Sequence, residues 1–219
     1  MKLEVTALRS VAKGVSLKDK LIAFLPDYAP IASKLSFFMN LRNKFALLAH
    51  IVERTIGFTS KREMPTWRSD YFRDKEILKN LPEQKDVKHS KPVILFVDTF
   101  NRYFEPEIVR DANNFLEAAG YHVFMPTTPR NKPLCCGRTY LTSGLIKQAK
   151  QKAQTLVNIL APFAEQQIPI VGLEPSCLLA LRDEVPSLIP TKQAKQIAKM
   201  AVTFEELIAK DKPNIKLIN

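Results

Sequence analysis

Apolar residues follow two rhythms along this chain, and the change falls near residue 90. Residues 1–57 read as helical. Ser16 is a candidate N-cap for 17-LKDKLIAFL-25. Pro26 and Pro30 are then expected to break the pattern. The stretch 31-IASKLSFFMNLRNKFALLAHIVERTIG-57 supports one or two further helices, stopped at Gly57. Residues 58–90 hold 63-EMPTWRSDYFRDKE-76 and the polar run 83-EQKDVKHSKP-92, an extended connection ending in a linker.

From Pro92 onward short apolar runs alternate with helical patterns. The runs 93-VILFV-97, 121-YHVFM-125 and 168-IPIVGL-173 have strand length, and an unbroken apolar run suits a strand buried on both faces. Between them, 105-EPEIVRDANNFLEAAG-120 places Ile108, Ala112, Phe115, Leu116 and Ala119 at helical spacing, with Gly120 at the C-cap. The stretch 144–163 aligns Leu145, Ala149, Ala153, Leu156 and Leu160 on one face. A short helix is expected over Leu178 to Glu184, and a last one from about Thr191 to Lys210. Alternation of this kind predicts an α/β fold, a parallel Rossmann-like sheet with flanking helices, preceded by a helical N-terminal segment. The expected division is a helical segment and linker over 1–90 and an α/β domain over 91–219.

The strand order along the chain directs attention to one edge. Ligands of open α/β sheets bind outside the carboxyl ends of the strands. Three loops leave those ends here: 98-DTFNRYF-104, 126-PTTPRNKPLCCGRTY-140 and 174-EPSC-177. The chain has 3 cysteines, Cys135, Cys136 and Cys177, and all of them fall in these loops. Gly137 lets the backbone turn toward a ligand, and Arg138 adds positive charge. The competing reading is that the thiols are small buried apolar groups.

Composition narrows the classes. The 219 residues and 46% apolar content suffice for a core. No apolar run reaches membrane-spanning length, and 1-MKLEVTALRS-10 lacks the apolar core of a secretory signal. An odd cysteine count without a signal favours a reducing, cytoplasmic setting. The net charge of +11 favours acidic partners, but the basic residues are dispersed, with neither an RNA-binding signature nor zinc-finger spacing. Nucleic acid is therefore not an expected partner.

The arrangement 134-LCCG-137 followed by 170-IVGLEPSC-177 resembles the cysteine-rich, or CCG, domain of heterodisulfide reductase and of related iron–sulfur oxidoreductases. The stretches 97-VDTFNRYFEPE-107, 134-LCCGRTY-140 and 172-GLEPSCLLALRDE-184 resemble the C-terminal region of fused FAD-linked oxidases of the D-lactate dehydrogenase or glycolate oxidase type. The segment 18-KDKLIAFLPDYAPIASKL-35 is similar to the stretch directly after their ferredoxin-like cysteine motifs. The resemblance implies an electron-transfer portion of a 2-hydroxy-acid dehydrogenase. It implies an iron–sulfur cluster at Cys135, Cys136 and Cys177, with Thr99, Glu174, Gly137 and Arg138 beside it. It also implies FAD on another domain or subunit and a ferredoxin-like partner. Thr99 and Glu174 stand where the family carries two further cysteines, so the ligand set is incomplete. The chain has no CxxCxxC motif and no dinucleotide fingerprint, so it is expected to be a fragment or a split partner. A non-redox docking scaffold is the alternative.

Other features carry less. Asp98 either faces the pocket or caps a loop. Arg138 either holds a carboxylate or pairs at the surface. His122 reads as structural, His50 lies on an apolar helix, and His89 sits in the linker. Trp67, Tyr71 and Phe72 are expected to pack their segment down. The apolar helices of 17–57 are expected to pack on protein, with peripheral association at an anionic inner membrane face as the alternative.

Overall fold

The computed structural model describes residues 2–77, 91–126, 128 and 133–213. Residues 83–90 of the expected linker, with His89, lie outside the described residues, as does part of the loop after the second strand.

A parallel sheet of four strands, in the order β2-β1-β3-β4, forms the centre of the described fold. β1 spans Lys91–Phe96, β2 Tyr121–Phe124, β3 Ile170–Gly172 and β4 Ala201–Thr203. Ile94 of β1 lies across from Phe124 on one side and from Ile170 on the other. Val93, Leu95 and Val97 enter one core with Val109 and Leu116, while Ile94 and Phe96 enter the opposite core with Leu156, Leu160 and Leu178. Burial on both faces is why this strand reads as one apolar run. Gly172 is the last residue of β3, and a Cβ there would stand 2.8 Å from Cβ of Leu178. The missing side chain lets the next helix lie against the strand.

Helices cover both faces. Along the chain they are α7 (Thr99–Tyr103), α8 (Pro106–Ala118), α9 (Arg138–Thr142), α10 (Ile146–Glu165), α11 (Pro175–Arg182), α12 (Glu184–Leu188), α13 (Lys192–Met200) and α14 (Phe204–Asp211). α10 to α13 build the core that takes Ile94, and α8 and α14 build the one that takes Leu95. On α10 the expected face is observed, with Ala149, Ala153, Leu156 and Leu160 buried. On α8 it is rotated. Val109, Ala112, Asn113 and Leu116 are buried, whereas Ile108 is 42% exposed. A buried polar Asn113 hid the true stripe.

The expected single helix over 191–210 is two helices with β4 between them. Thr203 interrupts it. Its side chain accepts the Glu206 N–H at 3.2 Å, and the Glu206 carboxylate accepts the Thr203 N–H at 2.9 Å. This reciprocal cap starts a new helix, and the freed residues Ala201–Thr203 pair with β3. The expected loop after β1 also holds a helix, α7, capped by Asp98.

Among the described residues six α-helices precede the sheet, α1 (Lys2–Lys13), α2 (Leu17–Ala23), α3 (Leu25–Lys34), α4 (Ser36–Met39), α5 (Leu41–Lys44) and α6 (Ala46–Ile56), followed by one 3-10 turn at Asp74–Glu76. Ser16 caps α2 and Gly57 closes α6, as expected. The prolines behave differently. Pro26 sits in the first turn of α3, where no N–H is required, and Pro30 is accommodated inside that helix. The stretch after Pro30 breaks into more pieces than expected, at Leu35, Asn40 and Phe45. The segment 58–73 runs back along these helices on asparagine side chains. Asn40 exchanges two hydrogen bonds with the backbone of Trp67, both 2.8 Å, and Asn43 does the same with Met64 at 2.7 and 3.1 Å. The Phe72 N–H then donates to the Arg102 carbonyl at 2.9 Å, and Phe72 is buried in the sheet core. Among the described residues no helix is long and apolar enough to cross a membrane.

Candidate functional site

A cleft of about 220 Å³ opens at the carboxyl edge of the sheet, and Asp98, Thr99, Cys135, Cys136, Arg138 and Cys177 all line it. Three loops far apart in sequence thus meet as expected. Each is set by a local device. The Asp98 carboxylate accepts the Phe100 N–H at 2.7 Å and the Asn101 N–H at 3.1 Å, which starts α7 beneath the cleft. Gly137 turns the chain after the cysteine pair at φ +85, with its Cα close enough that a Cβ would meet the Ala149 carbonyl oxygen at 3.0 Å. Glu174 caps α11 by accepting the Ser176 N–H at 3.2 Å, and Pro175 occupies the first turn. Cys177 therefore sits in the first turn of a helix rather than in the expected loop.

The three thiols form a chain of contacts, Cys135 to Cys136 and Cys136 to Cys177. Cys136 and Cys177 are buried and belong to the sheet core, while Cys135 is half-buried. The Gly137 N–H lies 3.4 Å from the Cys135 sulfur. The hydrogen bond to Cys136, with burial, pushes the Cys135 thiol well up, against a weaker pull from Gly137 and Lys152. For Cys136 the contact with Cys135 pulls the thiol down, but the contact with Cys177 and burial outweigh it and the net shift is upward. Both shifts run opposite to that of an activated thiolate nucleophile. Burial also raises Asp98, opposed by its bonds to Asn101 and Phe100 and helped by the charge of Glu174.

An iron–sulfur cluster asks for deprotonated thiolates in full complement. The three thiols meet at one cleft but fall short of that complement. Glu174 spends a carboxylate oxygen on its helix cap, and Thr99 brings a hydroxyl rather than a thiol to the cleft wall. Among the described residues no three His, Cys, Asp or Glu side chains form a group suited to holding a metal ion. Arg138 lines the cleft, but its guanidinium is paired with Glu184 of α12. The N-terminal helices supply part of the wall, through Ile22 and Pro26. Neither residue carries a chemical signal, and nothing in the local sequence ties them to the cysteines.

No family model matches the chain, and no solved structure matches it. The chain is similar to parts of dehydrogenases. D-2-hydroxyglutarate dehydrogenase of Haemophilus influenzae is 24% identical over 182 residues, 80% of this chain and 17% of that protein. The protein of the same name from Escherichia coli K12 is 24% identical over 178 residues, 77% of this chain and 16% of that protein. One subunit of the anaerobic glycerol-3-phosphate dehydrogenase of Escherichia coli K12 is 22% identical over 175 residues, 80% of this chain and 42% of that polypeptide. The chain thus spans under half the length of each of these relatives.

Proposed function

We propose that this chain is the cysteine-rich portion of a multi-part dehydrogenase of the 2-hydroxy-acid type. FAD resides on a separate domain or subunit in this reading, with a ferredoxin-like portion as a further partner. The carrying observation is that all three cysteines, distant in sequence, line one cleft at the carboxyl edge of a parallel sheet. The likeness to D-2-hydroxyglutarate dehydrogenases supports the substrate class, a small 2-hydroxy carboxylate. Within this reading the cleft marks where electrons leave the flavin part, and Cys135, Cys136 and Cys177 are the residues available to an iron–sulfur group.

A second reading is favoured by Thr99 and by the capping role of Glu174. In it the domain is a scaffold that docks the flavin and ferredoxin-like portions and carries no cluster. Iron and sulfide analysis of the full chain after anaerobic purification and reconstitution separates the two. Stoichiometric iron and sulfide, lost on replacing the three cysteines with serine, supports the electron-transfer role. A folded chain free of iron leaves the scaffold. The wider assignment has its own test, co-purification of the natural full-length protein or complex with flavin and 2-hydroxy-acid dehydrogenase activity. Absence of both overturns it.

A further inference from the structure

A second and larger cavity, of about 650 Å³, adjoins the thiol cleft and shares Pro26, Thr99 and Cys135 with it. Its charge is unbalanced. Arg73, Lys75, Arg102 and Lys152 line it against two carboxylates, Asp27 and Asp74. Both carboxylates are already committed, Asp27 to Lys152 and Asp74 to Arg102. The nearby Glu76 is held by Arg110 at 2.8 Å. Arg73 lies over the Tyr71 ring, 4.7 Å from its centre, and Lys75 forms no ion pair among the described residues. Among the described residues neither Arg73 nor Lys75 forms an ion pair on the cavity wall, and the charge of Arg73 acts only at longer range on Glu76.

Arg102 supplies an independent observation. It is 5% exposed, and its Nη1 serves Asp74 and the Phe72 carbonyl, the latter at 3.3 Å. Its Nε is buried and has no hydrogen-bond partner among the described residues. An unmet buried N–H of a guanidinium is costly, and most such groups in folded proteins have an acceptor. Here the residue that carries it lines a cavity rich in positive charge. A guanidinium presents its donors in a fork that matches the oxygens of a carboxylate or a phosphate.

We propose that this cavity binds a small oxyanion, a carboxylate or phosphate group, held by Arg73, Lys75 and Arg102 beside the thiol cleft. The anion supplies the acceptor that Arg102 lacks and neutralises the charge left by Arg73 and Lys75. This proposal stands on the cavity's charge and its unmet donor. It does not depend on the role of the cysteines, so it fails separately from the iron analysis above.

Isothermal titration calorimetry of the full chain at low ionic strength tests it, with malonate and inorganic phosphate as probes and sodium chloride at matched ionic strength as the control. Saturable one-to-one binding of either probe is expected, and the tighter of the two identifies the group the site prefers. Arg73→Ala with Lys75→Ala, on a surface segment, should weaken binding at least about tenfold, the equivalent of one hydrogen bond to a charged group. Arg102→Lys keeps the charge opposite Asp74 but removes the fork, and should weaken binding by about the same factor while its thermal midpoint reports on folding. Binding of neither probe overturns the proposal. So does binding that the double variant leaves unchanged, or binding that chloride abolishes equally well.

Discussion

The two parts of this chain treat apolar side chains in opposite ways. In the α/β part Ile94, Leu95, Leu156, Leu160 and Leu178 are fully buried. In the N-terminal helices Ile31, Phe37, Phe38 and Leu47 are between 62% and 73% exposed. Runs of similar hydrophobicity thus end in a closed core in one place and on an open face in the other. The difference lies in what surrounds them. A parallel sheet offers two faces and a helix layer for each, so strand and helix cover one another. The short helices α4 and α5 meet the returning segment 58–73, which covers them through Asn40 and Asn43 with backbone hydrogen bonds rather than with apolar bulk. Phe37 and Phe38 meet edge to face, 5.4 Å between ring centres, and both stay mostly in solvent.

Leu156→Ala is the severest test of the closed side. Removing a fully buried leucine side chain should cost about 2–5 kcal/mol, read as a drop in the urea unfolding midpoint. A loss under about 1 kcal/mol would mean that the sheet core is not what holds this part together.

The joint between the two parts comes next. Asp27 of α3 accepts the Tyr140 hydroxyl of α9 and pairs with Lys152 of α10. Burial and the adjacent Asp27 push the Tyr140 phenol above its ordinary range, so its proton stays in place as a donor. Asp27→Ala leaves that hydroxyl buried without its acceptor and should cost about 1–3 kcal/mol. Faster amide exchange should appear in α2 and α3. Exchange unchanged there would show that the halves are held by apolar contact alone.

Asp98 tests the seam from the sheet side, through pH. Burial raises its carboxyl in the folded chain above the ordinary value near 4. The folded state then keeps this proton to higher pH than the unfolded chain does. Its contribution to stability is fully present below about pH 4 and is lost as pH rises through the raised folded value. Asp98→Asn keeps an acceptor for the α7 cap and removes the titration. The stability difference, wild type minus variant, should therefore fall between pH 4 and neutrality in urea midpoints. A flat difference would mean that the capping bonds cancel the burial.

The smallest effect belongs to the open face. Phe37→Ser with Phe38→Ser should change stability by no more than about 0.5 kcal/mol per site, since both rings are mostly in solvent. If it destabilises the chain as much as Leu156→Ala, the contrast between the two parts collapses.

Much of the site was legible before the structure. Three strand-like runs placed Cys135, Cys136 and Cys177 at one carboxyl edge, and the cleft brings them together. Asp98 was read as either a pocket residue or a cap, and it is both. Less was visible at Arg138, whose partner Glu184 belongs to a different element, and at Pro26, which reaches the cleft from the N-terminal helices. Arg102 carried no signal at all. It lies within 98-DTFNRYF-104, expected as a loop, and α7 turns it inward.

The sequence by itself determined the features that rest on neighbouring residues. The Ser16 cap, the helix end at Gly57, the buried stripe of α10 and the two-sided burial of β1 all follow from spacings of a few positions. Only the tertiary structure decided what depends on distant partners. β4 is three residues long, too short for a periodic signal, and it exists because β3 offers an edge that Ala201–Thr203 can pair with. The Asp27 contacts reach across 113 and 125 residues of chain. The cationic cavity gathers Arg73, Arg102 and Lys152 from separate elements. Local periodicity reports which face of an element is apolar, but only packing decides what that face meets.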